Sequence, residues 1–259
     1  MIPKIIHYCW FGPKQIPKEL IKYIETWKKV CPEYELKLWN EESFDINSHP
    51  FTQSAYHEKK YAYVSDFVRA YALYHHGGIY LDTDVELKLC LDIFLKYQAF
   101  TGFEGIGAPF TAVWGAIPKH SLTHQVLSYY DNRTYSSLEP TNTASVSEIL
   151  TEKFGVDPQK NIYQLVSDET HSIAIYPSTT FCLDLPLNFA THHFNGSWVE
   201  NRKKSFKLSV HEKYMIECLN NEKSIYTEKE FLISLSQNLK LKHILRLCRY
   251  YIKYTLKFK

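Results

Sequence analysis

The pattern of apolar and polar positions at the amino terminus predicts a strand, a helix and a second strand. Residues 2–11 are a mostly apolar run, which is typical of a buried strand, and apolar residues recur at helical spacing over residues 17–30. Residues 34–39 then alternate between apolar and polar with a period of two. This β-α-β opening is typical of the parallel sheets that bind nucleotides.

A second helix and strand are predicted immediately before a pair of carboxylates. Apolar residues recur at helical spacing over residues 65–76, where Ser65 or Asp66 could cap the first turn and Gly77-Gly78 would end the helix. Residues 79–81 form an apolar strand that runs directly into the sequence Asp-Thr-Asp. We therefore expect two carboxylates at the end of a buried strand.

The rest of the body also has the pattern of an α/β domain. The remaining predicted elements are strands at 99–103, 112–117 and 173–181, helices at 121–130 and 144–153, and a loop at 192–198. No internal repeat or linker divides these elements. We predict one domain over residues 1–235 and a separate basic amphipathic helix over residues 236–259.

Charge is distributed unevenly along the chain. The formal net charge is +2, yet seven basic residues and no acidic one follow Glu230, so residues 1–230 carry a net charge of −5. A mildly acidic body argues against a nucleic-acid-binding protein. Six cysteines are scattered without a CxxC pair, which predicts reduced thiols and a cytoplasmic protein.

The basic carboxyl-terminal segment has the pattern of an interfacial helix. One helical face is apolar, with a stripe of lysine and arginine beside it; the apolar positions are Leu241, Ile244, Leu245, Cys248, Tyr251, Ile252 and Leu256. On an anionic membrane surface each basic side chain of such a helix contributes about 1 kcal/mol. We expect a peripheral location at the inner face of the cell membrane. The alternative is a helix that packs on the body or on another chain.

Asp82 and Asp84 flank a single residue after the predicted strand. Open α/β sheets bind ligands at the carboxyl ends of their strands, and two carboxylates there can hold Mg²⁺ or Mn²⁺ against a diphosphate. Asp-x-Asp also occurs as a solvated turn. A phosphohydrolase of the haloacid-dehalogenase type uses a similar pair, but its pattern has Thr or Val where this chain has Glu86.

The surroundings of the carboxylate pair resemble a known family. Residues 65–84 are similar to the DxD sugar-binding region shared by the yeast Och1-like mannosyltransferases, bacterial capsular polysaccharide glycosyltransferases and the catalytic domains of clostridial glucosylating toxins. Residues 2–12, 27–39 and 192–198 are similar to other segments of that family. The resemblance implies a GT-A glycosyltransferase fold, with a Rossmann-like mixed sheet flanked by helices. It also implies a retaining enzyme that uses a nucleotide sugar with Mn²⁺ (or Mg²⁺).

The resemblance implies three sets of site residues, at the positions of this sequence that match the family's motifs. The catalytic set is Asp66, Arg69, Asp82 and Asp84. The donor-binding set is Trp10, Tyr80, Ser197 and Trp198. The metal-ligand set is Asp84, Asp82, His193 and His192, with either histidine as the third ligand.

The resemblance also implies how some of these side chains act. Trp10 would stack on the base, Arg69 would neutralise charge on the leaving diphosphate, and Asp84 would bind the metal directly. From position alone, Trp10 could instead be a core residue. Asp66 and Arg69, one helical turn apart, could instead be a surface ion pair of little consequence.

Together these features predict a metal-dependent, retaining hexosyltransferase. Its expected donor is a nucleotide sugar, with UDP favoured by Trp10, and its expected acceptor is a growing bacterial surface polysaccharide or lipid-linked oligosaccharide. Two alternatives remain. The chain could be a non-catalytic sugar-nucleotide-binding subunit of another transferase, or a metal-dependent phosphohydrolase that uses the same carboxylates.

Overall fold

A computed structural model describes residues 1–185 and 188–195 and six positions of the tail, 241, 244, 245, 248, 249 and 252. The chain divides into two compact units. The first comprises Met1–Asp184 and Asn188–His211, and the second comprises Leu185–Leu187 and Glu212–Lys259.

The first unit contains a seven-stranded sheet and a two-stranded one, with helices packed against them. The large sheet is formed by β1 (Ile5–Cys9), β2 (Glu35–Trp39), β3 (Gly78–Leu81), β5 (Ala99–Gly102), β6 (Val113–Ala116), β7 (Gln164–Ser167) and β8 (Ser172–Tyr176). The small sheet pairs β4 (Val85–Leu87) with β9 (Ala190–His192). The helices are α1 (Lys18–Val30), α2 (Pro50–His57), α3 (Tyr61–His76), α4 (Ser121–Tyr129), α5 (Asn142–Phe154) and α6 (Ser178–Phe181).

The large sheet is mixed, and its strand order is β2-β1-β3-β6-β5-β8-β7. Strand β1 pairs in parallel with β2 and β3, whereas β6 lies antiparallel between β3 and β5. Strand β8 is parallel to β5. Strands β1, β3, β5 and β8 therefore run in one direction and present their carboxyl ends at one edge of the sheet. This confirms the predicted Rossmann-like mixed sheet flanked by helices.

Two apolar clusters cover the opposite faces of the sheet. Along β3, Tyr80 faces the first cluster, which includes residues of α2 to α5, and Ile79 and Leu81 face the second, which includes residues of α1. On the second face Trp27 is fully buried, and its indole Nε1 donates to the carbonyl of Val85 at 2.8 Å. That bond joins α1 to β4, the strand that follows the carboxylate pair.

A buried polar group fixes the start of β3. The Nε1–H of Trp39 donates to Nδ1 of His7 at 3.1 Å, so the proton of this imidazole is on Nε2, which donates to the carbonyl of Gly77 at 2.7 Å. Gly78 follows with φ +104°, and a Cβ there would lie 2.7 Å from the carbonyl oxygen of Ile5. A glycine is therefore required where β3 approaches β1.

Several predicted boundaries were wrong. Helix α3 begins at Tyr61, so Ser65 and Asp66 lie inside the helix and neither caps it. The strand predicted at 173–181 ends at Tyr176, because Pro177 has no N–H for the ladder and serves as the N-cap of α6. The predicted loop at 192–198 begins with a strand residue, because β4 pairs with β9.

The described tail residues agree with the predicted amphipathic helix as far as they extend. Leu241, Ile244, Leu245, Cys248 and Ile252 are helical and exposed. Across the described residues, no helix combines the length and apolar character that crossing a bilayer requires.

Candidate active site

The candidate site lies at the carboxyl edge of the large sheet. Trp10 follows β1, and Asp82 and Asp84 follow β3, whose last residue is Leu81. Because β1 and β3 are parallel neighbours, these residues leave the sheet at the same edge. Crevices at such an edge are where open α/β sheets bind ligands.

Arg69 of α3 joins two carboxylates at this edge. Its Nη2 lies 2.8 Å from Oδ1 of Asp66 and 3.2 Å from Oδ1 of Asp82. The Arg69 and Asp66 side chains are only 10% and 11% exposed, so this is not the surface ion pair considered above. Burial raises the pKa of Asp66 to about 6, against the opposing effect of Arg69.

The Arg69 guanidinium also lies over an aromatic ring. Its carbon atom is 4.7 Å from the ring centre of Tyr80, which is buried in β3 between its neighbours. Burial raises the pKa of the Tyr80 phenol well above its usual value, so the ring stays neutral. The structure thus places Tyr80 beneath Arg69, where it orients the guanidinium.

Asp84 pairs with His192 of β9. Its Oδ1 lies 3.3 Å from Nε2 of His192, and its Oδ2 accepts from the backbone N–H of Asn195 at 2.7 Å. Burial favours the neutral carboxyl, but these partners outweigh it and lower the pKa of Asp84. Burial likewise opposes the imidazolium, yet Asp84 raises the pKa of His192 well above its usual value.

Three of the four side chains that the resemblance assigned to a metal are brought together here. Ligand atoms of Asp82, Asp84 and His192 all lie within 4.8 Å of one another. Two carboxylates fit the preference of Mg²⁺ and Mn²⁺ for oxygen, and an imidazole nitrogen can complete such a set. The donor set therefore fits the implied metal.

His193, the other predicted third ligand, has different contacts. Its Nε2 lies 2.8 Å from Oε2 of Glu86, and its ring stacks on Tyr23 of α1 with 4.3 Å between ring centres. Glu86 also pairs with Lys88 at 2.7 Å. Of the two histidines, the structure places His192 beside the aspartates and His193 among α1 and β4.

The remaining donor-binding candidates follow β1 or lie near the end of the described segment. Trp10 is half-buried, so part of its indole is accessible, and its Nε1 donates to the carbonyl of Lys14 at 2.6 Å. Ser197 and Trp198 lie outside the described residues.

Sequence reasoning missed Glu104, Glu86 and Tyr23. Glu104 comes two residues after β5, at the same edge as Asp82, and it interacts electrostatically with Asp82, Asp84 and His192. Its signal in the sequence was a lone acidic residue just past a predicted strand. Glu86 and Tyr23 had no such signal, because only the pairing of β4 with β9 brings His193 to them.

Residues 17–101 match the family described as "Glycosyltransferase sugar-binding region containing DXD motif". This match includes Asp66, Arg69, Asp82 and Asp84. The chain carries a DXD glycosyltransferase sugar-binding region. It is an enzyme, a glycosyltransferase. Its curated relatives are named as glycosyltransferases or mannosyltransferases.

Two curated proteins illustrate what this glycosyltransferase is similar to. It is 28% identical to an uncharacterized glycosyltransferase of Acanthamoeba polyphaga mimivirus over 229 residues, which cover 83% of this chain and 91% of the viral protein. It is 37% identical to inositol phosphoceramide mannosyltransferase 3 of Schizosaccharomyces pombe over 103 residues, which cover 38% of this chain but only 29% of the yeast protein. Among solved structures, the PaToxG glycosyltransferase superposes with a TM-score of 0.45 at 19% identity, covering 58% of this chain and 68% of that one.

Proposed function

We propose that this glycosyltransferase is a metal-dependent, retaining hexosyltransferase with a nucleotide-sugar donor. The observation that carries the proposal is the convergence of Asp82, Asp84 and His192 beside the buried Arg69. These groups would hold Mn²⁺ (or Mg²⁺), which when bound neutralises charge on a diphosphate. The experiment below distinguishes this function from those of a phosphohydrolase and of a non-catalytic subunit.

The chain's own residues supply the remaining charge and orientation. Arg69 presents its guanidinium to the site, fixed between Asp66 and Asp82 and stacked on Tyr80. An arginine held in this way stabilises negative charge on the leaving diphosphate without reorganising during the reaction. Trp10 offers an accessible ring for the base at the end of β1.

The donor proposed is a UDP-hexose, on the basis of Trp10, with GDP-mannose as the second candidate. The second candidate is supported by the names of the yeast relatives, which are mannosyltransferases. Those names also specify inositol phosphoceramide, a lipid, as what those proteins act on. For this chain we propose a growing surface polysaccharide or a lipid-linked oligosaccharide as the acceptor.

We further propose that the enzyme acts at the cytoplasmic face of an anionic membrane, bound through its basic terminal helix. The proposal is supported by exposed apolar residues on the described helical positions, among them Leu241, Leu245 and Ile252, and by the basic stripe in the sequence. Sedimentation with vesicles of phosphatidylglycerol or of phosphatidylcholine tests it. Binding to the anionic vesicles alone, lost at high salt, is expected, and equal binding to both would contradict the proposal.

The decisive experiment measures release of nucleoside diphosphate from UDP-hexoses and GDP-mannose with Mn²⁺, Mg²⁺ or EDTA. We expect metal-dependent release of nucleoside diphosphate from one donor. The rate of release should be at least about 100-fold lower in Asp84→Asn, because a neutral amide is a poor ligand for a hard cation. Asp131→Asn, at an exposed aspartate after α4, is the matched control. Anomeric analysis of the transferred sugar by NMR tests retention.

Other outcomes identify the alternatives. Donor binding without turnover by any donor, with or without acceptor extracts, would indicate a binding subunit. Release of inorganic phosphate from phosphate esters, without release from nucleotide sugars, would indicate a phosphohydrolase. Failure to bind any nucleotide sugar would refute the proposed function.

A further inference from the structure

Glu104 is a carboxylate at the reacting edge of the sheet that the roles above leave unused. Strand β5 runs parallel to β3, with β6 antiparallel between them, so Glu104 and Asp82 leave the sheet at the same edge. The Sγ of Cys182 donates to the carbonyl of Glu104 at 3.7 Å, and the carbonyl of Cys182 accepts from the N–H of His192 at 3.0 Å. Through Cys182, these contacts link the backbone of Glu104 to β9, the strand that carries His192.

The carboxylate of Glu104 interacts electrostatically with the candidate metal ligands. The groups that act on its carboxylate include His192, Asp82, Asp84 and the hydroxyl of Thr143. Burial raises the pKa of Glu104, and the two aspartates add to that effect. None of the ion pairs within 4.0 Å in the described part of the chain involves Glu104. Glu104 is half-buried, and its pKa lies above the usual value although His192 opposes that shift. Carboxylates with shifted pKa values cluster at functional sites.

Two structural roles do not account for this carboxylate. It is not needed to cap α5, because the Thr141 side chain already accepts from the N–H of Ala144 there. It is also absent from the set of ligand atoms that lie within 4.8 Å of one another among the described residues. Glu104 therefore lies next to the candidate metal set without belonging to it.

The space beside Glu104 can admit a ligand. Apart from its chain neighbours, no heavy atom of the residues that the structure describes lies within 4 Å of the position that a Cβ on Gly105 would occupy. The hexose of a nucleotide sugar is bonded directly to the diphosphate, so it must lie next to any cation that binds that diphosphate. A carboxylate accepts stronger hydrogen bonds from hydroxyls than neutral groups do.

We infer that the Glu104 carboxylate accepts a hydrogen bond from a hydroxyl of the transferred hexose and thereby orients that sugar beside Asp82 and Asp84. Arg69, paired with Asp66, approaches Asp82 from α3, so the sugar would lie between α3 and Glu104. The inference rests on the proposed nucleotide-sugar donor and adds a residue that selects the sugar.

The test compares binding of the bare nucleoside diphosphate with binding of the nucleotide sugar. Wild type, Glu104→Gln, Glu104→Asp and the control Glu152→Gln, at an exposed glutamate of α5, are titrated by calorimetry with UDP, GDP, UDP-hexoses and GDP-mannose in Mn²⁺. Glu104→Gln should bind the diphosphate within about threefold of wild type. Its affinity for the nucleotide sugar should be about tenfold lower or more, and its donor turnover about 100-fold lower. A site built to hydrogen-bond a substrate hydroxyl loses much of its binding when that bond cannot form as before.

Each other outcome overturns the inference in a distinguishable way. Unchanged sugar affinity and turnover in Glu104→Gln would show that Glu104 does not touch the hexose. Equal loss of diphosphate and nucleotide-sugar affinity would assign Glu104 to the cation site instead. If Glu104→Gln fails to fold, the same affinities are measured for Glu104→Asp, which keeps the charge on a shorter side chain. A wild type that binds diphosphate but no nucleotide sugar would refute the proposed donor, and the inference with it.

Discussion

Acid should destabilise the protein through His7, the imidazole that fixes the start of β3. The ring is fully buried, and both nitrogens are used in its neutral form: Nδ1 accepts from Trp39 and Nε2 donates to Gly77. A proton added to Nδ1 would face the indole N–H and break that bond. Burial, the larger cause, and the nearby cation Lys37 lower the pKa of His7 to about 4.

The size of the effect follows from this pKa. In the unfolded chain His7 titrates near 6.5, so as pH falls below 6.5 the unfolded state takes up the proton first and stability falls until about pH 4. At about 1.4 kcal/mol per pH unit, the loss amounts to roughly 3 kcal/mol. His120 is held in the same way, with Nδ1 accepting from Leu122 and Nε2 donating to Ser172, and its pKa is also about 4.

The assay is urea unfolding of wild type and His7→Gln at several pH values between 7.5 and 4. Glutamine does not titrate, so the difference between the two proteins isolates the contribution of His7 from those of all other groups. We expect His7→Gln to be less stable at pH 7.5 and to lose about 3 kcal/mol less than wild type on acidification. His57→Gln, at an exposed histidine, controls for removal of an imidazole as such.

Parallel pH dependences for wild type and His7→Gln would refute this reasoning. That result would mean that His7 titrates alike in the folded and unfolded states, so that its two hydrogen bonds do not favour the neutral ring. The double variant with His120→Gln gives a second check. Because His7 lies in β1 and His120 at the N-cap of α4, and they share no hydrogen-bond partner, their effects on the pH dependence should add.

Three further predictions concern packing and the site. Gly115→Ala should cost about 1–3 kcal/mol in urea unfolding, because its Cβ would lie 2.2 Å from the ring of Phe100; wild-type stability would contradict this. Trp27→Phe should cost about 1–3 kcal/mol, since it leaves the buried carbonyl of Val85 without its donor; a cost near zero would count against the bond. Arg69→Lys should lower donor turnover by at least about tenfold while the protein stays folded, because lysine cannot bridge two carboxylates with one planar group; full activity would refute that role.

Short-range patterns determined much of the site. The apolar run before Asp82 and Asp84 predicts a buried strand that ends at these polar residues. The structure confirms it, because all four residues of β3 are buried and a strand buried on both faces must be apolar throughout. The spacing of Asp66 and Arg69 predicts that they meet, because residues three apart on a helix are neighbours. The family resemblance rested on the same contiguous segment. These features are local, so sequence alone could specify them.

The tertiary structure decided what depends on strands that are distant in sequence. The pairing of β4 with β9 brings both histidines to the site, with Val85 opposite His192, and Glu86 pairs with His193. Asp84 lies in the turn before β4: its carbonyl accepts from the N–H of His193 at 3.0 Å, while its side chain reaches His192, so the conformation of this turn selects the histidine. Glu104 reaches the site only because β5 is parallel to β3 across an antiparallel β6. Pairing partner, direction and register are set by the packing of the whole sheet, and no local pattern in the sequence encodes them.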